Sequence, residues 1–332
     1  MSEDRGLVLV TGGTGYLAGH VIRRLSADGY RVRTTVRSPG RNAEVRAADE
    51  VAVADLTTDD GWTVAVAGCD AVLHVASPFP ARQPENEDDV IVPAREGTLR
   101  VLRAANAVGI RRVVLTSSFA AVGYSPKPSG APYDETDWTD PTAPNSPYVK
   151  SKTLAERDAW KFAAAHDLDL TVVNPVGIFG PVLGTDLATS VRIVKELLEG
   201  RPPLLPRASF AVVDVRDVAD LHVKALHDPR AVGERFLAAA GQPVSFPETA
   251  ATLRAHLGPD GRRVPRHTAP DWLVRTGARV VPALRELAGL LGEPKRIDAI
   301  KATELLGWHP RPVADTLVDT ARSLIDGGLV GR

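Results

Sequence analysis

Leu7-Val8-Leu9-Val10-Thr11-Gly12-Gly13-Thr14-Gly15-Tyr16-Leu17-Ala18 is the stretch that decides the fold. The apolar run 7–11 is short and ends in a glycine cluster, which reads as a buried strand. After the glycines, Leu17, Val21 and Leu25 recur at helical spacing until Gly29 stops them. Glycines between a strand and a helix have a definite use. They reach positive φ, and without a Cβ they let a pyrophosphate approach the backbone, while the helix start offers free N–H groups and a positive dipole end. The spacing is G-x-x-G-x-x-A, and Ala18 at the third position need only be small enough for helix and strand to pack. Glycines also make ordinary turns, but a strand before and an amphipathic helix after favour a dinucleotide site.

Working outward, Tyr30, Val32, Thr34 and Val36 alternate with polar residues as in a strand. The segments 51–55, 71–76 and 112–116 read as further short buried strands. Val90, Ala94, Val101, Leu102, Ala105 and Val108 form one helical face between the last two. Strands separated by helices of this length predict an α/β fold of Rossmann type, with a doubly wound parallel sheet and right-handed crossovers. Six prolines in 119–147 exclude a regular element there. Ser146-Pro147 then starts a helix to about residue 166, with a hydroxyl cap followed by a proline whose missing N–H costs nothing. A strand at 170–174 follows, then a helix near 186–199, a strand near 210–215, a helix near 217–227, a strand near 235–239 and short helices. The expected division is a dinucleotide-binding part over 1–180, also receiving segments near 208–240, and a mainly substrate-binding part over 181–332.

Composition excludes several classes of function. The chain has 332 residues, enough for a sizeable core, and a formal net charge of -1, so no global field recruits nucleic acid or anionic lipid. Its basic residues are 8 Lys and 32 Arg, and the arginines are scattered rather than patched. The lone Cys69 makes neither an internal disulfide nor a thiolate zinc site, and no metal is expected. The first residues lack the basic start and apolar stretch of a signal peptide, and no 18 apolar residues run together. A cytoplasmic protein is the expectation. There is no G-x-S-x-G elbow and no H-E-x-x-H.

Tyr148 is the one tyrosine with a lysine four residues later, Lys152, so that hydroxyl and ammonium share a helix face. Tyrosine ionises near pH ~10, and bringing it toward neutrality takes roughly 4 kcal/mol of differential stabilisation, which a nearby cation in a desolvated site can supply. An isolated Y-x-x-x-K is more often a surface pair; behind a dinucleotide loop the odds reverse. Thr116-Ser117-Ser118 ends a strand, placing hydroxyls at the carboxyl edge of the sheet, where ligands of such folds bind.

With these motifs the chain resembles the extended short-chain dehydrogenases/reductases, and within them the dihydroflavonol reductase-like group of aldehyde and ketone reductases. Further matching stretches are His74-Val75-Ala76-Ser77-Pro78, Glu96-Gly97-Thr98-Leu99, 174–181, 213–219 and Leu306-Gly307-Trp308-His309-Pro310. The resemblance implies that Ser118 holds the substrate carbonyl, Tyr148 donates a proton and Lys152 assists while holding the ribose. It implies cofactor contacts at Thr11, Gly12, Gly15, Tyr16, Leu17, Asp55, Leu56, Val75, Ala76, Ser77, Thr116, Pro175, Val176, Ile178 and Ser190. Relatives that prefer NAD place an acid after the second strand, whereas this chain reads Thr35-Val36-Arg37-Ser38. Arg37, with Arg41 behind it, is therefore expected to hold the 2′-phosphate of NADP(H). The overhanging loops imply an apolar pocket of Phe79, Phe119, Val122, Tyr124 and Phe179 and a small to medium, partly apolar aldehyde or ketone. Two alternatives stay open: a sugar-nucleotide epimerase or dehydratase gripping a diphosphate with Arg192, Arg201, Arg207 or Arg216, and a non-enzymatic dinucleotide sensor. Relatives include homodimers built on the Tyr148 helix, and monomers.

Overall fold

The structure is a computed structural model that describes residues 5–45, 47–78, 86–127, 130–279, 289, 291–292 and 294–331. Its centre is a parallel sheet of β1 (Leu7–Val10), β2 (Arg31–Val36), β3 (Glu50–Val53), β4 (Ala71–His74), β5 (Arg112–Thr116), β6 (Asp169–Pro175) and a late strand, Arg235–Ala238. The spatial order is that late strand, then β6, β5, β4, β1, β2 and β3. β1 pairs with both β2 and β4. The chain therefore winds one way to β3 and returns to the other side of β1, and the crevice at that reversal is where this architecture binds ligands.

Period-two burial sorts β1 between two helical layers. Val8 and Val10 pack with α1 (Tyr16–Ala27) and a later helix, Val215–His227, whereas Leu7 and Leu9 pack with α2 (Trp62–Val66), α3 (Asp88–Ala107) and α4 (Pro147–His166). The Ser146 hydroxyl accepts from the Val149 N–H at 3.4 Å, and Pro147 occupies the first turn of α4, as its sequence predicts. The described part of the proline-rich segment before it is packed rather than loose. Thr139 is buried, donates to the Ala120 carbonyl at 2.8 Å and accepts from the Tyr124 N–H at 3.0 Å.

Beyond Pro175 come β7 (Gly177–Phe179), α5 (Thr189–Leu198), β8 (Leu204–Leu205), β9 (Ser209–Phe210), β10 (Val212–Asp214), α6 (Val215–His227), β11 (Arg235–Ala238), β12 (Val244–Ser245), α7 (Phe246–Leu257), β13 (His267–Thr268), α8 (Asp271–Gly277), α9 (Ile300–Leu306) and α10 (Val313–Asp326). The expected strand at 210–215 is two short strands with different partners, β9 pairing with β12 and β10 with β7, and β10 ends where Asp214 caps α6 by accepting from the Arg216 N–H at 2.9 Å. The closing helices are longer than expected: α7 has 12 residues and α10 has 14. α5, α7 and α10 build their own core around Phe179, Leu197, Phe246, Leu253 and Leu317. Trp308 returns to the sheet layer, where its Nε1–H donates to the Asp217 carbonyl at 2.8 Å. Among the described residues, no helix is long and apolar enough to cross a membrane.

Candidate active site

The glycine loop is built so that side chains have no room. Gly12 has φ +76°, and a Cβ there would lie 2.9 Å from that of Ala76, while one on Gly13 would lie 2.4 Å from Thr34 Oγ1. The N–H groups of Gly12 and Gly13 are bound by Thr35, through Oγ1 at 2.9 Å and the carbonyl at 2.9 Å. The first helical bond of α1 is Gly19 N–H to Gly15 O at 3.1 Å, so the N–H groups of Tyr16, Leu17 and Ala18 have no helical acceptor. A cradle that a Cβ would fill, opening on free helix-start donors, fits a pyrophosphate. Leu17 itself is a core side chain, and the Tyr16 hydroxyl donates to the Gly180 carbonyl at 2.8 Å. Burial, with the Asp214 carboxylate nearby, pushes the Tyr16 phenol well above its ordinary pKa.

Thr11 ties this loop to the one after β4. Its hydroxyl accepts from the N–H groups of Val75 (3.1 Å) and Ala76 (2.9 Å) and donates to His74 Nδ1 at 2.9 Å. That direction requires a neutral His74, and burial, with Lys152 nearby, holds its pKa down to about 3. Next along, Ser77 Oγ accepts from Lys152 Nζ at 2.9 Å.

The Tyr148 hydroxyl donates to Ser118 Oγ at 3.4 Å, and that oxygen also accepts from the Ala120 N–H at 3.1 Å. Tyr148 is 38% exposed along the cleft wall. Its hydroxyl end is desolvated, which raises its pKa, and the bond to Ser118 works against that rise. Burial lowers Lys152 to about 8, opposed by the Glu156 carboxylate one turn on. Ser117 does not reach the cleft. Its hydroxyl donates to the buried Glu156 at 2.5 Å, on the α4 side of the sheet. Strand alternation turns Thr116 to the opposite side, where its hydroxyl donates to His222 Nε2 at 2.7 Å, the Nδ1–H of that ring being given to Val218 O. The Thr116 side chain is therefore tied to α6.

Arg37 is exposed just beyond β2, with no ion pair among the described residues. Arg41 reaches Asp186 at 3.4 Å, and with Gly13, Gly15, Arg23 and Leu183 it walls a cleft of about 520 Å³. Asp55 closes a turn by accepting from the N–H and hydroxyl of Thr57, both at 2.8 Å, and the Leu56 side chain covers Gly97 of α3. Pro175, Val176 and Ser190 line a second pocket of about 330 Å³ that Ser118 and Tyr148 also face. The Ser190 hydroxyl donates to the Ile178 carbonyl, fixing α5 against β7.

Phe119, Tyr124 and Phe179 line this pocket as expected. Val122 does not; it is 1% exposed and packs beneath with Leu237, Ala239 and Ile297, because the short helical turn after Ser118 directs it inward. Phe79 lies outside the described residues. Sequence reasoning missed Ile193, Phe210, Leu291 and Lys295 in the walls, which arrive from three distant segments. It also missed Glu156, although Tyr148, Lys152 and Glu156 recur every four residues along α4. None of the four candidate diphosphate arginines lines the pocket. Arg216 is bound to Asp214 and Asp319, both at 2.7 Å, and Arg192 donates to Leu187 O at 3.2 Å. Arg201 pairs with Glu199, and Arg207 lies 4.0 Å from Asp271.

Comparison with known proteins agrees with this geometry. Residues 8–239 match the model of the NAD dependent epimerase/dehydratase family. A cinnamoyl-CoA reductase of Medicago truncatula is 38% identical over 246 residues, covering 70% of this chain and 75% of that protein. An anthocyanidin reductase of Vitis vinifera is 33% identical over 285 residues, covering 79% and 82%. Among solved structures, the yeast methylglyoxal/isovaleraldehyde reductase Gre2 complexed with NADPH superposes with a TM-score of 0.76 at 25% identity, over 98% of this chain and 100% of that one.

Proposed function

The chain belongs to the NAD-dependent epimerase/dehydratase family, and from that membership we propose that it reduces the carbonyl of a small to medium, partly apolar aldehyde or ketone to the alcohol. It is an oxidoreductase, and its cofactor is NADP(H). The observation that carries the substrate reading is the convergence of the Tyr148 and Ser118 hydroxyls on one wall of an apolar pocket that has no arginine among its described lining residues.

The glycine cradle and the first turn of α1 would hold the pyrophosphate. The exposed Arg37, with Arg41, would hold the 2′-phosphate, and Lys152 the nicotinamide ribose. When bound, NADPH supplies the hydride. Tyr148 turns its hydroxyl from Ser118 to the substrate oxygen and gives up its proton as negative charge develops there. Ser118, with its Oγ held by the Ala120 N–H, donates its own hydrogen to the same oxygen. Lys152 lies one turn along α4, where its ammonium favours the tyrosinate left behind. Glu156 acts behind the reacting groups. It fixes Ser117 and Asn174, and the Asn174 amide in turn donates to the Ser118 carbonyl at 3.2 Å.

The test is NADPH consumption with small aldehydes, β-keto esters, aryl ketones, flavonoids and UDP- or dTDP-sugars. Turnover of simple aldehydes or ketones supports the reading. Conversion of a nucleotide sugar with none of simple carbonyls would overturn it in favour of the epimerase.

A further inference from the structure

The walls of the 330 Å³ pocket carry one charged side chain among the described residues, that of Lys295. Its surroundings are unlike those of Lys127, Lys150 and Lys301. Lys127 is paired with Asp137 at 2.6 Å, Lys150 with Glu87 at 2.7 Å and Lys301 with Glu234 at 2.5 Å. No carboxylate among the described residues lies within ion-pair distance of Lys295. Its Nζ sits instead 3.5 Å above the centroid of the Tyr124 ring. That ring meets Phe119, the residue after Ser118, edge to face at 6.4 Å.

The position is held from both sides. The Arg296 carbonyl, next in the chain, accepts from the Tyr133 N–H at 2.9 Å, and the Asp298 N–H donates to the Tyr133 carbonyl at 2.9 Å. The Gln242 side chain donates to the Ile297 carbonyl at 3.1 Å. The ammonium thus stands over Tyr124 in the same apolar pocket that the Ser118 and Tyr148 hydroxyls face, with the Tyr124 and Phe119 rings along the wall.

We infer that Lys295 is an anion subsite in the wall of the substrate pocket, and that the preferred carbonyl substrate carries a carboxylate separated from its reacting carbon by an apolar spacer. This deepens the reductase reading and rests on it. Desolvation lowers the Lys295 pKa to about 8, so at pH 7 the group is still mainly a cation, and one that has lost hydration without gaining a counter-ion among the described residues. A carboxylate restores that balance through a charge-assisted bond. One ammonium in apolar surroundings suits a monoanion; a phosphate dianion would leave half its charge unmet.

The experiment compares 4-carboxybenzaldehyde with its neutral isostere, methyl 4-formylbenzoate, as substrates of the wild type and of Lys295→Met. The wild type should favour the acid by about ten-fold or more in kcat/KM, the scale of one charge-assisted bond, and the ratio should collapse in Lys295→Met through the KM of the acid. A wild-type ratio at or below one overturns the subsite. So does a ratio that Lys295→Met leaves unchanged, since a lysine that merely latches its segment onto Tyr124 would affect both substrates alike. Calorimetric binding of 4-(hydroxymethyl)benzoate to the complex with NADP+ gives a readout without turnover, and equal affinity for wild type and variant also overturns the subsite. Lys295-dependent binding with neither aldehyde reduced would instead sink the reductase reading and leave the subsite standing.

Discussion

Glu156→Gln removes one charge from the best-buried ion pair among the described residues. The Glu156 and Arg235 side chains are 0% and 8% exposed and meet at 2.6 Å. The carboxylate also accepts from Ser117 at 2.5 Å, from Asn174 at 2.7 Å and from Trp160 at 3.4 Å, so both its oxygens face only donors. An amide of the same shape turns an NH₂ toward one of those donors and leaves the Arg235 cation, stacked on Trp138 at 3.8 Å, without its counter-charge. Stranding one member of a buried pair costs about 3–5 kcal/mol. An unfolding entropy of about 2.1 cal/mol/K per residue, over 332 residues, converts that into a fall in Tm of about 4–7 °C. Scanning calorimetry at neutral pH measures it directly. Glu156→Gln/Arg235→Met, which removes the stranded cation, should lose less than the two single variants together. A Tm within about 1 °C of wild type for Glu156→Gln, or strictly additive losses in the double variant, would refute the reasoning.

Arg37→Ala should raise the KM for NADPH about ten-fold or more while that for NADH barely moves, because a charge-assisted bond to a phosphate contributes roughly 1.5–3 kcal/mol; equal losses with both cofactors would place Arg37 away from the 2′-phosphate. Ser118→Ala should lower kcat by about 10²-fold or more with little change in Tm, and Ser117→Ala should lower Tm with little change in kcat; the reverse pattern in paired assays would move the functional serine by one position. His74 and His222 are both held neutral by burial, with pKa values of about 3 and about 4 against an ordinary 6.5. As pH falls below 6.5 the unfolded chain therefore takes up protons that the fold refuses, and stability declines down to about pH 4 at roughly 1.4 kcal/mol per pH unit for each ring. Denaturant melts from pH 7 to 5 should show His222→Asn with the shallower decline, and an unchanged slope would refute its contribution.

The strand–glycine–helix unit and the start of α4 at Pro147 are legible from local sequence because their determinants lie within a few residues. Alternation places Val8 and Leu9 on opposite faces, and Ser146-Pro147 is a self-contained cap. The substrate wall is not local. Ile193, Phe210, Leu291 and Lys295 meet only after α5, the β9 corner and the segment before Ile297 have packed, and no periodicity links them. Val122 reads as a loop residue in the sequence because nothing there shows that Phe119–Ala121 forms a turn aimed into the core. The hydroxyls of 116–118 are all legible as polar at a strand end. Which of them faces the cleft depends on His222 and Glu156, 106 and 39 residues away from their partners. Glu156 alone had a local signal, its place four residues beyond Lys152.

The most direct test of the central claim is Tyr148→Phe, which deletes one hydroxyl and leaves the ring in the cleft wall. NADPH binding, followed by cofactor fluorescence, should stay close to wild type, while kcat on an accepted aldehyde falls by about 10²–10⁴-fold, the contribution of a positioned general acid. Turnover retained at near the wild-type level would contradict the account, since the proton would then reach the substrate oxygen from some other group.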